Sequence, residues 1–471
     1  MRDGSTSPRG KRVGKIVGTV RQLTRVRGDR GAARGRPSVT GHAQTSKIGC
    51  PERDSASLAG MALDAQRVWN RCDELARFSE RTDALTRIFL SKEMRQADDL
   101  VGTWMREAGM VTRQDEAGNC IGRYEGVTPG MPCLMLGSHL DTVRDAGKYD
   151  GMLGVLSAIE CVALLDSSQQ RLPFAIEVVG FSDEEGVRFG STLLGSRAVA
   201  GTFDKTLLDK LDDAGLSMRA AMQAFGLDPD RITDAARKPA DVHAYVELHI
   251  EQGPVLEAEG LPAGVVTAIN GANRFTAVVL GAAGHAGTVP MGHRRDALAA
   301  AAECILAVER IASPYAEVVG TLGEIVAIPG AINVIPGKVT FSLDVRAPTD
   351  PLRATAVAAM RDEFAAISGR RNVLVTLSSI YEERTAQCSP ALQAQLADAL
   401  AFQNVPVRRL PSGAGHDGLA IIDIAPIGML FLRCKGGISH NPAEAVLLED
   451  VAVGLRVLDR FVRQFTPPPR A

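Results

Sequence analysis

Pro132-Cys133-Leu134-Met135-Leu136-Gly137, an unbroken run of apolar and small residues, leads directly into Ser138-His139-Leu140-Asp141-Thr142. A short apolar run that ends in a polar cluster predicts a strand buried on both faces. Its polar end then falls where open α/β sheets usually bind ligands. Working outward, helical patterns occupy 63–78 and 93–109, a strand pattern 120–124, a helical pattern 151–165 and a second apolar strand 174–181. This alternation predicts an α/β domain. Residues 207–236 suggest a helical insertion, and 243–250 return to strand.

The pattern changes near residue 265. Strands are expected at 275–280, 339–346 and 372–379, with amphipathic helices at 295–311 and 351–367. Their order matches the β-α-β-β-α-β plan of a ferredoxin-like lid. Helix and strand signals resume after 385 and continue to 465. The expected organisation is therefore a basic tail over 1–59, a catalytic domain built from 60–265 and 385–471, and an inserted α+β lid and dimerisation domain over 266–384.

A chain of 471 residues exceeds the size at which single cores stop growing, which also argues for two structured domains. Its formal net charge of -2 gives no electrostatic footprint for nucleic acid. No apolar run reaches the roughly eighteen residues needed to span a bilayer. The eight cysteines are scattered without a CxxC pair, a usage that suggests reduced thiols and a cytoplasmic protein. Each reads first as a small buried apolar residue. Residues 1–59 are rich in Arg, Gly, Ser and Thr and carry too little apolar surface to order themselves. They lack the apolar core of a secretory signal, and translation starting at Met61 is the simpler expectation.

Without a cysteine pair, any metal must be held by His, Asp and Glu. His139 and Asp141 project to the same side of an extended backbone, so the carboxylate is placed to orient the imidazole of a metal ligand. Taken alone, such a pair is more often a local hydrogen bond. Asp150, in Tyr149-Asp150-Gly151, reads either as a helix N-cap or as a carboxylate bridging two cations. Ser182-Asp183-Glu184-Glu185-Gly186 follows the second apolar strand, and adjacent buried glutamates repel unless a cation lies between them. One of them suits a ligand and the other a general base. His249, in Glu247-Leu248-His249-Ile250-Glu251-Gln252-Gly253-Pro254, and His440, in Gly436-Gly437-Ile438-Ser439-His440-Asn441-Pro442, are unremarkable singly. Together His139, Asp150, Glu185, His249 and His440 form a sensible ligand set for two divalent cations.

In order and spacing, His139-Leu140-Asp141-Thr142, Asp150-Gly151, Glu184-Glu185-Gly186 and His440 resemble the two-metal aminoacylase, carboxypeptidase and carbamoylase superfamily. The resemblance spans about 63–465 and implies an aminopeptidase-like catalytic domain. Peptidase branches generally carry an acidic residue at the fourth metal position. His249 with Ile250-Glu251-Gln252-Gly253-Pro254 is instead similar to the N-carbamoyl amino-acid hydrolase and allantoate amidohydrolase branch. The stretches 141–150, 181–189 and 433–440 look most like allantoate amidohydrolases.

That resemblance implies hydrolysis of the carbamoyl C–N bond of allantoate to ureidoglycine, ammonia and carbon dioxide, within purine and allantoin breakdown. N-carbamoyl-L-amino-acid hydrolase and β-ureidopropionase are the alternatives. It implies two divalent ions per subunit, manganese by family expectation and zinc or cobalt by ligand type. Glu184 becomes the proton shuttle, with Asp141 supporting the site. A homodimer is expected in which His285, in Gly284-His285-Ala286-Gly287-Thr288, reaches the neighbouring site and stabilises the oxyanion, while Asn333 and Arg346 hold the substrate carboxylate. Gln252 and the loop Ser412-Gly413-Ala414-Gly415-His416-Asp417 are further candidates for substrate contact.

Overall fold

The apolar run around 132–137 forms the strand Cys133–His139, every residue of which is buried. It appears here in a computed structural model that describes residues 63–469. The expected tail over 1–59 and the alternative start at Met61 lie outside the described residues.

Cys133–His139 pairs in parallel with Ala175–Phe181 on one side and with Val242–Ile250 on the other. Ile427–Leu432 adds in parallel to Val242–Ile250. Antiparallel strands extend both flanks into a nine-stranded sheet. Helices Met152–Ser167 and Leu448–Gln464 cover these strands and share one apolar core with Leu134, Leu136, Val246, Leu248 and Leu430. Because its central strands run in parallel, their carboxyl ends share one edge. His139, residues 182–185, His249 and the segment after Leu432 all reach that edge.

Between Ala263–Ile269 and Ala386–Gln387 the chain builds a second sheet of five strands. Gly271–Leu280 and Lys338–Ala347 form its centre and Leu374–Glu383 one edge, all antiparallel. Phe275, Ala277, Val279, Phe341, Leu343 and Val345 bury one face against helices Ala297–Ala312 and Asp350–Arg371. Alternate residues are thereby turned to the opposite face. The two crossings between sheets meet at Arg353, which is 3% exposed. Its Nε donates to Asn273 Oδ1 at 2.7 Å, and its Nη1 donates to Asp350 Oδ1 at 2.8 Å and Thr385 Oγ1 at 3.2 Å. Gly271 is required here, since a Cβ would lie 1.8 Å from Arg353 Nη1.

Two departures from the sequence reading have local causes. Residues 207–236 hold one short helix, Met218–Phe225, and 3-10 turns at Lys205–Asp209 and Pro229–Ala235. Gly215 and Gly226, both at positive φ, and Pro229 interrupt any longer helix. The smaller sheet also gains Val319–Thr321 and Ile325–Ile328, while Gly284–His285 pairs with Val334–Ile335. These strands are short and largely exposed, so no apolar alternation announces them. Cys72, Cys120, Cys133, Cys161, Cys304, Cys388 and Cys434 are free and buried, as small apolar residues are. Among the described residues no helix is long and apolar enough to cross a membrane.

Candidate active site

His139 ends its strand with Nδ1 3.0 Å from the backbone carbonyl of Asp141. His249 has Nδ1 2.8 Å from the carbonyl of Ile250. A carbonyl can only accept, so each Nδ1 carries the proton and each ring turns Nε2 inward. Both Nε2 atoms face Asp150 Oδ1, His249 at 3.1 Å and His139 at 3.7 Å. The other carboxylate oxygen, Oδ2, lies 3.3 Å from His440 Nε2, which is 3.5 Å from Glu185 Oε1. Asp150 thus presents one oxygen to His139 and His249 and the other to the side shared by Glu185 and His440. The potential ligand atoms within each of these groups lie within 4.8 Å of one another.

Local backbone explains the convergence. Gly151 follows Asp150 at φ 75°, and a Cβ there would sit 2.5 Å from the His139 ring. Asp183, Gln252 and His440 adopt left-handed conformations at φ 53°, 57° and 54°. Such conformations in residues other than glycine cost energy and gather at functional sites. Glu444, a residue the sequence did not single out, receives the backbone N–H groups of Tyr149 at 2.9 Å and Asp150 at 3.1 Å through Oε1. Its Oε2 takes the Ser439 hydroxyl at 2.9 Å, so it ties the loop of His440 to the segment of Asp150.

Asp141 departs from expectation. Its carboxylate is 3.8 Å from His139 Nδ1, and the imidazole is held by the Asp141 backbone carbonyl instead. The carboxylate accepts the N–H groups of Glu184 at 3.0 Å and Glu185 at 3.1 Å. It orients the turn carrying both glutamates. The reason is geometric: the chain bends after His139, bringing a main-chain oxygen nearer the ring than the side chain.

This cluster demands positive charge. Burial disfavours charged imidazoles, yet the surrounding carboxylates, Asp150 foremost, raise the pKa values of His139 and His249 above the ordinary range. Hydrogen bonding to Asp150 likewise raises His440. A divalent cation would supply the same charge and displace these protons, and the all-His, Asp and Glu donor set suits one. Burial lifts Glu184 well above the carboxylate range; His139 opposes this, while Glu185 and Asp417 add to it. Glu185 is pushed up to about 7, by burial first and also by Asp150. A raised value means that the charged carboxylate, the form able to bind a cation, predominates only above about 7. Metal affinity is therefore expected to fall about tenfold per displaced proton for each pH unit below that point. Isothermal titration with manganese at several pH values checks this, and a pH-independent affinity across neutrality contradicts it.

Gln252 lies within the cluster. Its Nε2 donates to Asp150 Oδ2 at 3.0 Å and to Ser439 Oγ at 3.3 Å, and approaches His440 Nε2 at 3.4 Å. Arg346 is half-buried on the smaller sheet and lines the same cavity, of about 230 Å³, as His139, Asp150, Glu184, Glu185, His249 and His440. Its Nε and Nη2 donate to Asp344 at 2.9 and 3.1 Å, and its Nη1 donates to the carbonyl of Gly413 at 2.8 Å. The side-on edge of its guanidinium is therefore occupied by Asp344. Ser412, expected as a substrate contact, is fully buried and hydrogen-bonds the Ala414 carbonyl at 3.0 Å and His416 Nε2 at 2.8 Å. It shapes its own loop. His285 and Asn333 are exposed and adjacent, with Ala286 N donating to Asn333 O at 2.9 Å, but neither lines this cavity. Arg274, Thr192, Tyr381 and His416 do line it.

Central parallel strands that deliver His, Asp and Glu side chains able to hold metal to one edge, with a second sheet inserted in the chain, fit the two-metal aminopeptidase-like class of hydrolases. Residues 135–464 match the model of peptidase family M20/M25/M40, and the chain belongs to that family. It is 43% identical over 403 residues to the N-carbamoyl-L-amino acid amidohydrolase of Geobacillus stearothermophilus, covering 85% of this chain and 98% of that protein. It is 40% identical over 423 residues to the allantoate deiminase of Arabidopsis thaliana, covering 83% of this chain and 80% of that protein. The crystal structure of an amidase of the hydantoinase/carbamoylase family from Burkholderia multivorans is 33% identical and superposes with a TM-score of 0.81 over 86% of this chain and 99% of that one. This chain is an amidohydrolase.

Proposed function

We propose that the protein hydrolyses the carbamoyl C–N bond of allantoate, giving ureidoglycine, ammonia and carbon dioxide. One observation carries the reading: Arg346 and Arg274 face the ligand cluster across a cavity of about 230 Å³ whose lining is mainly polar. Such a cavity suits a compact ureido carboxylate, with a guanidinium for the acid group. The relative named allantoate deiminase supports the same choice.

His139, Asp150 and His249 would hold one divalent cation, and Asp150, Glu185 and His440 a second; manganese is our choice of ion. When bound, such a pair lowers the pKa of water and polarises a ureido carbonyl. Glu184, beside the ligands on a turn fixed by Asp141, accepts the proton of the attacking water. It then returns the proton to the departing nitrogen. Arg346 draws the substrate carboxylate to the smaller sheet and so fixes which carbonyl meets Glu184. Gln252, released from Asp150, offers its amide to the substrate.

N-carbamoyl-L-amino acid hydrolysis is the second reading, favoured by the 43% identity to the Geobacillus relative. A substrate panel with manganese-loaded protein separates the two. Higher kcat/KM for allantoate than for N-carbamoyl-L-amino acids or β-ureidopropionate supports the first, and the reverse order replaces it with the second.

A homodimer belongs to the same proposal, because His285 and Asn333 sit together outside the cavity of their own chain. From a second subunit they would supply an oxyanion donor and a carboxylate contact, and closed two-fold pairing is the commonest soluble assembly. Mixed Glu184→Gln and His285→Ala subunits, each inactive alone, are expected to recover up to about a quarter of wild-type activity after random exchange into two-fold dimers. Hybrid dimers without recovered activity would show that His285 serves its own chain.

A further inference from the structure

On the cavity-facing side of the smaller sheet, Tyr381, Arg274 and Asp344 form one cross-strand row. Arg274 is in register with Tyr381 on one neighbour and with Asp344 on the other. Its Nε donates to Asp344 Oδ2 at 2.9 Å, and its guanidinium carbon lies 4.8 Å from the centre of the Tyr381 ring. Asp344 also holds Arg346, so one carboxylate braces two arginines and leaves a surplus positive charge facing the cavity. Among the described residues, the Nη groups of Arg274 have no hydrogen-bond acceptor.

A β-bulge builds this row. The strand Leu374–Glu383 pairs regularly up to Ser379 opposite Phe275, then shifts register so that Tyr381 falls opposite Arg274. Had the pairing stayed regular, Ile380 would stand opposite Arg274 and Tyr381 would share the face of Ser379 and its partner, the buried Phe275. The bulge instead turns the ring to the cavity beside Arg274, and bulges recur where a sheet must re-aim a side chain near a site. The stacked ring and the Asp344 contact restrict the guanidinium to one plane.

The shape of the substrate class determines what Arg274 meets. Its α-carbon carries a carboxylate, the scissile ureido group and one further substituent. With the carboxylate on Arg346 and the scissile carbonyl at the ligand cluster, that substituent is left to the row of Arg274 and Tyr381. We infer that Arg274 is a specificity-determining residue that donates hydrogen bonds to a carbonyl oxygen on this third substituent. A second ureido group supplies such an oxygen, whereas an alkyl side chain would leave the guanidinium N–H groups without an acceptor. The Arg274 side chain is 45% exposed in the single chain, so its discrimination comes from a bound substrate that covers the row and leaves N–H groups without a partner when it offers no acceptor. This inference rests on the proposed ureido hydrolysis and refines its substrate preference.

The test compares kcat/KM for allantoate, N-carbamoyl-L-asparagine and N-carbamoyl-L-alanine in manganese-loaded wild type, Arg274→Met and Arg274→Lys. The first two substrates carry a carbonyl on the third substituent, and the last does not. In Arg274→Met, the kcat/KM ratio of each carbonyl-bearing substrate to the alanine derivative is expected to fall about tenfold or more, mainly through KM. Arg274→Lys should recover part of the preference. An equal loss on all three substrates would mean that Arg274 only braces Arg346 through Asp344, and unchanged ratios would also overturn the inference. If wild type turns over the N-carbamoyl amino acids but not allantoate, the allantoate reading fails. The asparagine-to-alanine ratio still decides the role of Arg274.

Discussion

Glu184→Gln is expected to keep its metal ions and to lose about 10²- to 10⁴-fold in kcat, the range over which a positioned general acid–base group contributes. The substitution keeps the backbone N–H that Asp141 Oδ1 receives at 3.0 Å, so the turn and its neighbour Glu185 stay in place. It removes a carboxyl that burial and nearby acids already disfavour in its charged form. Thermal stability should therefore hold or rise while turnover collapses. Metal content by elemental analysis, melting temperature and kcat together read this out. Near-normal turnover in the metal-replete variant would remove Glu184 from proton transfer.

His249→Ala is expected to weaken metal binding by at least about 100-fold, beyond the 10- to 100-fold usual when only an outer hydrogen-bond partner of a ligand is lost. The ring is 1% exposed, lies 3.1 Å from Asp150 Oδ1 and packs edge-on to His416 with ring centres 4.5 Å apart. Alanine removes both the nitrogen and the packing, so a folding defect could also lower metal content. His249→Asp separates these causes, since it restores a ligand atom while leaving much of the space empty. Metal content is expected to recover in the aspartate variant well above the alanine level. Equal metal content in wild type and His249→Ala would place His249 outside the site.

Much of the candidate cluster was legible because most of its proposed ligands fall at or near the ends of strong apolar strands, where sequence patterns are least ambiguous. His139 ends one fully buried strand, Glu185 follows a second, and His249 lies one residue from the end of a third strand. Asp150 and His440 sit beside glycine-containing turns, and the structure brings Asp150 within 3.7 Å of His139 and 3.3 Å of His440. What the sequence could not give was register. Arg274 precedes the apolar alternation that begins at Phe275, whereas the strand itself begins at Gly271. Tyr381 lies beyond the expected strand end and is aimed by a bulge that leaves no residue signature. Glu444 acts through two backbone N–H groups nearly three hundred positions earlier in the chain. For Asp141, the choice between side chain and main chain as the partner of His139 turned on less than 1 Å.

Allantoate labelled with ¹³C at its ureido carbons, followed by NMR with ammonia measured in parallel, tests the central claim most directly. With manganese-loaded wild type, the account predicts that carbon from one ureido group appears as bicarbonate in step with ammonia release. Chelation should stop the reaction and added manganese should restart it, while Glu184→Gln remains nearly silent with its metal bound. Label that stays in the ureido group with metal-replete wild type, or is released equally fast by the chelated protein, would contradict the account.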